Sequence, residues 1–147
     1  MIKKIREKKQ KRSSFTLLEL LLAIVIIGIL AAMGFPGYMK TKRNVLSREA
    51  IANLRLIAAA EKIYYLENNI YADCADTSSC NTRLKLFLND RNWSYSVTTS
   101  NAGRNAAVTA TGQIAGIEGC SYTLSSSDFD DSAKDYSTKS NCPSGCL

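Results

Sequence analysis

The chain has 147 residues, the size of a single domain, and a formal charge of +6 at pH 7. The whole excess lies in residues 1–14, where seven Lys and Arg side chains face one Glu, and the rest of the chain is neutral. Because Arg83, Lys85, Arg91 and Arg104 form no clear basic patch, binding of nucleic acid is not predicted. The sequence contains no histidine, the commonest general base and metal ligand, so neither an enzyme site nor a cofactor site is predicted.

The basic stretch is followed directly by an apolar one. As a helix, residues 15–35 would span about 31 Å, close to the roughly 30 Å hydrocarbon core of a bilayer. Because Lys and Arg beside a spanning helix stay in the cytoplasm, we expect a single pass with the C-terminal region outside. A cleaved secretory signal is the competing interpretation, but the apolar run is long for one and Ala31-Ala32-Met33 is a poor cleavage sequence.

Glu19 is the single acidic residue within this apolar run. A carboxylate inside a spanning helix costs about 2.5–3.5 kcal/mol near the bilayer centre and less near the interface. Two interpretations follow: Glu19 extends to the membrane interface, or it has a positively charged partner.

Gly28, Gly34 and Pro36 interrupt an otherwise helical pattern. Pro36 has no N–H to donate to the carbonyl of Ala32, which costs about 3 kcal/mol in a regular helix. We therefore predict a kink near Pro36, with an ordinary membrane exit as the alternative.

An amphipathic helix is predicted from Tyr38 to Asn68, so that residues 15–68 would form one helix of about 80 Å. Its core stripe is predicted at Leu46, Ala50, Asn53/Leu54, Ile57, Ala60 and Tyr64. The charged residues are expected on the other faces: Lys42, Arg43, Arg48, Glu49, Arg55, Glu61 and Lys62. The segment Ser47-Arg48-Glu49 is interpreted as a solvated or intersubunit surface.

The remainder is predicted to be an irregular connection followed by a small antiparallel sheet, which makes the fold class α+β. Residues 70–92 are assigned to the connection. Period-two alternation predicts a strand over residues 93–99, and residues 106–111 and 120–124 are the next strand candidates, with a turn at 101–104. The apolar face of the sheet is predicted to consist of Trp93, Tyr95, Val97, Val108, Tyr122 and Leu124.

The segment Ser14-Phe15-Thr16-Leu17-Leu18-Glu19, with the apolar run, Gly28, Pro36 and Tyr38 after it, resembles the N-terminal signature of type IV pilins and the related type II secretion pseudopilins. The resemblance implies a long N-terminal helix packed on a three- or four-stranded antiparallel sheet. It divides the chain into a leader (1–14), a transmembrane and polymerising half-helix (15–36), an amphipathic half-helix (37–69) and a globular region (70–147).

The same resemblance implies how the protein is processed and assembled. A prepilin peptidase would cleave between Ser14 and Phe15 and methylate Phe15, although the family usually has Gly where this chain has Ser14. Glu19, with Thr16 beside it, would then act in assembly by neutralising the new Phe15 amine of a neighbouring subunit, and residues 28–36 could unwind in the filament.

The expected partners are further copies of the chain, the peptidase, the inner-membrane assembly machinery and, before assembly, lipid. The expected location is the inner membrane, followed by an extracellular pilus or a periplasmic pseudopilus. Three functions stay open: a pilus subunit, a type II secretion pseudopilin, or a single-pass binding domain that does not polymerise.

Five cysteines in an exported domain suggest disulfides, whose connectivity the sequence does not fix. We prefer Cys74 with Cys80, and Cys120 with Cys142 as in many pilins, with Cys146 left over or replacing Cys142. Zinc is disfavoured because no His accompanies the cysteines. Some pseudopilins bind calcium through acidic C-terminal loops, but the segment Asp128-Phe129-Asp130-Asp131, with Asp135 nearby, is interpreted as a solvated acidic turn and no metal site is predicted.

Overall fold

The computed structural model of the protein describes residues 16–147. The predictions for the leader, for the cleaved bond after Ser14 and for methylation of Phe15 lie outside these residues. The chain divides into two compact units, one ending at Gly37 and the other comprising Tyr38–Leu147. The first helix, α1 (Leu17–Asn68), contributes to both units and passes through Pro36 without a break.

The second unit contains a four-stranded antiparallel sheet with the order β1-β2-β3-β4. Its strands are β1 (Trp93–Ser100), β2 (Asn105–Gly112), β3 (Ser121–Ser125) and β4 (Thr138–Ser140), so the predicted α+β class is confirmed. The first three strands lie within one residue of their predicted positions. The fourth is a short exposed edge strand that the sequence analysis did not assign.

Alternation in β1 places its large side chains on one face of the sheet. Trp93, Tyr95 and Val97 are fully buried, and β1 pairs with β2 so that Val97 lies opposite Val108. The predicted apolar face is confirmed, because all six of its members are buried: Trp93, Tyr95, Val97, Val108, Tyr122 and Leu124.

The stretch of α1 in the second unit covers this face. Ala50, Leu54 and Ile57 are buried as predicted, and the stripe is completed by Ile51 and Ala58. The remaining apolar members of the predicted stripe pack at its margin and are partly buried: Leu46, Ala60 and Tyr64.

Three polar contacts fix the helix on the sheet. The indole N–H of Trp93 donates to the carbonyl of Leu46 (2.9 Å), and the amide of Asn53 donates to the Tyr95 hydroxyl (2.7 Å). The Tyr122 hydroxyl donates to Ser47 Oγ (3.0 Å). Each aromatic ring of this face therefore has its polar atom satisfied while its body is buried.

Two predictions about α1 are wrong. Ser47 is fully buried instead of lying on a solvated surface, because its hydroxyl accepts from Tyr122 and donates to the carbonyl of Arg43. Glu61 is also fully buried, although it was expected on a charged outer face. Its position seven residues after Leu54 places it on the same side of the helix as the core stripe.

The prediction of an irregular connection over residues 70–92 is wrong for residues 77–84, which form a second helix, α2 (Thr77–Leu84). The Asp76 side chain accepts from the N–H of Ser79 (2.7 Å), and Ser79 Oγ accepts from the N–H of Asp76 (3.1 Å). This capping box satisfies two backbone donors at the helix start and explains why so polar a segment is helical. The hydrogen bonds from Ser79 hold the pKa of the Asp76 carboxyl below its usual value.

Candidate assembly surface

The first unit presents an apolar surface with no cover from the described chain. An 18-residue window of α1 is strongly apolar, with a mean hydropathy of 2.7, and none of it is buried. By length and composition, α1 is able to cross a membrane. Its exposed apolar side chains here are Leu17, Leu18, Leu20, Leu21, Leu22, Ile24, Val25, Ile26, Ile27, Ile29, Leu30, Met33 and Phe35.

Thr16 and Glu19 come together at the start of α1. Thr16 Oγ1 accepts the backbone N–H of Glu19 (3.2 Å), and the carbonyl of Thr16 accepts that of Leu20 (3.2 Å). Thr16 is therefore the residue that caps the helix, and Glu19 lies in its first turn. The Glu19 side chain is exposed and makes no ion pair within residues 16–147. A carboxylate at this end also interacts favourably with the helix dipole.

The three residues predicted to kink the helix all lie within α1. Nothing comes within 4 Å of a Cβ placed on Gly28 or Gly34, and Pro36 is in the helix interior. These positions are therefore free of side-chain packing in the first unit, and the kink near Pro36 stays a prediction.

A second exposed stripe, which is not among the predicted features, lies in the stretch of α1 that belongs to the second unit. Its members are separated by three, four or seven residues, which places them on one side of the helix. All are apolar or aromatic, and all are exposed: Tyr38, Val45, Ala52, Leu56, Ala59, Ile63 and Leu66. The seven-residue recurrence of Val45, Ala52, Ala59 and Leu66 was the signal that could have revealed it.

The cysteines all lie in the second unit. The structure pairs Cys74 with Cys80 and Cys120 with Cys142, the two pairs that the sequence analysis preferred. Cys146 is free and half-buried. Among residues 16–147 no group of three or more His, Cys, Asp or Glu side chains is placed to hold a metal ion.

The acidic segment 128–135 is held by cations of the same chain. Asp128 pairs with Lys134 (2.8 Å) and Asp130 pairs with Lys62. The hydrogen bonds from Lys134 and Ser137 hold the pKa of the Asp128 carboxyl below its usual value.

Arg55, on α1, makes the most contacts with this segment. The two N–H groups of its Nη2 are shared among the carbonyls of Asp131 (3.5 Å), Ser132 (3.3 Å) and Lys134 and the carboxylate Oδ1 of Asp135 (3.5 Å). The segment is thus a turn fixed to α1 by charged hydrogen bonds.

The four cations considered for nucleic acid do not share one surface patch. Arg83 and Lys85 line a small cleft together with Glu67. Arg91 precedes β1, whereas Arg104 lies in the turn after it, so the length of the strand separates them.

Comparison with known proteins places the N-terminal features in a family. The model of the "Prokaryotic N-terminal methylation motif" matches residues 9–35. The chain is 36% identical to type IV major pilin protein PilA of Myxococcus xanthus over 45% of its own length and 30% of the relative's. It is 38% identical to type II secretion system core protein G of Aeromonas hydrophila over 43% of its own length and 44% of the relative's. The chain thus spans less than half the length of these two relatives.

A third alignment extends far beyond the N-terminal helix. The chain is 32% identical to fimbrial protein EcpC of Eikenella corrodens over 114 residues, which cover 74% of this chain and 68% of the relative. No solved structure matches the chain significantly. With the methylation motif at its start and an alignment over most of a fimbrial protein, this chain belongs to the type IV pilin and pseudopilin family.

Proposed function

We propose that the protein is a structural, non-catalytic subunit of a type IV pilus-like filament. The observation that carries the proposal is the apolar surface of α1 over residues 17–37, which nothing in the described chain covers. Exposed apolar surface of this extent is unfavourable in water, so the helix must be buried by lipid or by other subunits. In the filament it is buried by the same helix of neighbouring copies.

Processing precedes assembly. A prepilin peptidase removes residues 1–14 and methylates the new N-terminus at Phe15. Before assembly the helix crosses the inner membrane, with residues 1–14 in the cytoplasm and the globular region outside. The match of the methylation motif to residues 9–35 supports this step, since it includes the Ser14–Phe15 bond.

Glu19 then selects the register between subunits. Cleavage creates an ammonium group on Phe15, and the exposed Glu19 carboxylate has no ion-pair partner within residues 16–147. Within an apolar bundle an unpaired carboxylate is costly, whereas a carboxylate paired with a neighbouring ammonium is stabilised because screening there is weak. Only a stagger that brings a neighbour's Phe15 amine to Glu19 avoids the penalty.

The second candidate function is that of a type II secretion pseudopilin. The likeness to core protein G favours it, but that alignment covers only 43% of the chain. The alignment with fimbrial protein EcpC covers 74% and so includes much of the globular region, which favours the pilus subunit.

The test uses two Glu→Ala variants of the full chain. Glu19→Ala should abolish or severely reduce incorporation into filaments while the membrane level of the protein is unchanged, because the register then has no charge pair. Glu67→Ala is the matched control, since Glu67 is exposed on the same helix but outside the apolar half. Filaments are sheared from the cells and quantified by mass spectrometry.

The same spectra test the processing step. The proposal expects a mature chain that begins at methylated Phe15 and is abundant in the sheared fraction. Normal filament levels from Glu19→Ala would contradict the role of Glu19. An uncleaved monomer that stays in the membrane would contradict the pilus function and support the binding domain that does not polymerise. A processed chain confined to short filaments in the cell envelope would support the pseudopilin.

A further inference from the structure

A buried carboxylate, that of Glu61, lies two turns before the end of α1 and far along the chain from the predicted assembly residues. Glu61 is fully buried, and its Oε2 accepts the backbone N–H of Ala72 (2.9 Å). Its other oxygen, Oε1, is buried and has no hydrogen-bond partner among the described residues. A buried polar atom without a partner is costly, and a buried charge without a partner is more costly still.

The backbone that Glu61 holds connects three regions of the second unit. The N–H of Tyr71, next to Ala72, donates to the carbonyl of Gly103 (2.8 Å) in the β1–β2 turn. The Tyr71 ring packs on Tyr65 at the end of α1 (centroids 4.6 Å apart) and against Phe129 after β3 (5.8 Å). Release of this backbone would therefore loosen the helix end, the turn and the acidic segment together.

The groups that face Glu61 do not neutralise it. Burial raises the pKa of Glu61 to about 7, the hydrogen bond from Ala72 opposes the rise, and Asp73 adds to it. Tyr71, on the same connection, interacts electrostatically with Glu61, Asp130 and Lys62. Lys62, the neighbouring cation of α1, pairs with Asp130. The protonated, neutral form of Glu61 is thus the form that suits the closed structure.

We propose that Glu61, Tyr71 and Ala72 form a proton-operated latch, closed when the Glu61 carboxyl is neutral and loosened when it is charged. In the loosened form the carboxylate reaches water, and the connection over residues 69–73 separates from α1. The globular region is then more firmly closed in mildly acidic surroundings than in neutral ones.

The pH range of the latch follows from linkage. Below pH 4.5, the ordinary pKa of the group, Glu61 is protonated in the closed and in the open form. Between 4.5 and about 7 the open form loses the proton while the closed form keeps it, so the opening constant rises by about tenfold per pH unit. Above about 7 both forms are charged and the opening constant is level.

The test is amide hydrogen exchange of the full-length chain in detergent micelles, measured by NMR at Tyr71 and Ala72 and corrected for intrinsic exchange. In the wild type, protection of both amides should fall by about tenfold per pH unit between pH 5 and 7. Glu61→Gln keeps an oxygen to accept from Ala72 but cannot ionise, so its protection should not vary with pH. Glu67→Gln, an exposed control on the same helix, should behave as the wild type does.

Amide protection that does not change with pH in the wild type would overturn the latch. A Glu61→Gln variant whose protection varies with pH as that of the wild type does would also overturn it. Should Glu61→Gln not fold, the ¹³C carboxyl shift of Glu61 in the wild type decides the matter. A midpoint near 7, at the pH where the loss of protection levels off, supports the latch, and an ordinary midpoint near 4.5 overturns it.

Discussion

Residues 17–37 and residues 38–68 belong to one helix but differ in what covers their apolar side chains. Within residues 17–37, no residue of the apolar window is buried. Within residues 38–68, the centre of one stripe is buried, and its polar members Ser47 and Glu61 are hydrogen-bonded inside the chain. The apolar side chains of the N-terminal stretch thus have no cover within the described chain, whereas the C-terminal stretch obtains most of its cover from the sheet.

Because of this difference, we expect residues 17–37 of α1 to act in assembly and residues 38–68 to act in the folding of the second unit. Substitutions in the N-terminal stretch should change membrane insertion and filament formation without changing the stability of the second unit. Substitutions under the sheet should do the opposite. The exposed stripe from Tyr38 to Leu66 is the exception in the C-terminal stretch, because its uncovered apolar side chains resemble those of residues 17–37.

The largest expected effect tests this separation directly. Trp93→Ala should lower the free energy of unfolding of the second unit by about 3–5 kcal/mol, because the fully buried indole is lost together with its hydrogen bond to Leu46. Ile26→Ala, in the exposed half, should leave that free energy unchanged. Urea unfolding of the full chain in micelles, followed by circular dichroism, measures both. An equal loss of stability in the two variants would refute the separation.

A somewhat smaller effect is expected from the disulfide that joins the tail to Cys120, the residue before β3. The Cys120–Cys142 bond closes a loop with a sequence separation of 22. Replacing both cysteines with Ser should destabilise the second unit by about 3 kcal/mol, since the unfolded chain regains the freedom of that loop. Cys146→Ser is the control and should cost little, because Cys146 forms no disulfide. Urea unfolding under non-reducing conditions compares the three proteins, and a Cys146→Ser variant as unstable as the double variant would contradict the pairing.

The sequence predicts the sheet well because apolar and polar residues alternate along β1, and this alternation shows which of its side chains are buried. Trp93, Tyr95 and Val97 alternate with small polar side chains, and the next two strands are bounded by turn residues. The edge strand β4 has neither property: its three residues are all exposed, so only its pairing with β3 defines it.

Helix α2 and the two buried polar residues of α1, Ser47 and Glu61, show where the pattern of apolar and polar residues leads to a wrong prediction. Hydrophobicity does not identify α2, since the reason for that helix is the cap formed by Asp76 and Ser79. Residue type predicts that Ser47 and Glu61 are exposed, but both lie seven residues from Leu54, one before it and one after it, and so belong to the core stripe. Which polar residue of such a stripe is buried depends on a partner distant in sequence, here Tyr122 for Ser47 and Ala72 for Glu61.

The assembly roles predicted for Thr16 and Glu19 depend on information from outside the single chain. Thr16 and Glu19 meet at the helix start, but the amine expected to pair with Glu19 belongs to a neighbouring copy. One chain shows that the Glu19 carboxylate has no ion pair among the described residues, and the proposed partner rests on the resemblance to the family.

The smallest effects are expected at the polar contacts between α1 and the acidic segment 128–135. They compare the stability that these exposed polar contacts provide with the stability that buried apolar side chains provide. Lys62→Gln removes one ion pair with Asp130, whose side chain is 92% exposed, so it should cost less than about 1 kcal/mol. Arg55→Gln removes the guanidinium Nη2, whose two N–H groups are shared among three carbonyls and Asp135, and should cost about 1–2 kcal/mol.

Urea unfolding gives the two free energies, and hydrogen exchange over residues 128–135 should rise more in Arg55→Gln than in Lys62→Gln. Arg48→Gln is the matched control, because Arg48 is exposed on α1 and bonds only to Asn44 among the described residues. If Lys62→Gln proved as destabilising as Arg55→Gln, the carbonyl contacts of Arg55 would not be what holds the segment. Both costs should stay below that of Trp93→Ala, since exposed charges exchange protein partners for water at little cost, whereas a buried indole has no such replacement.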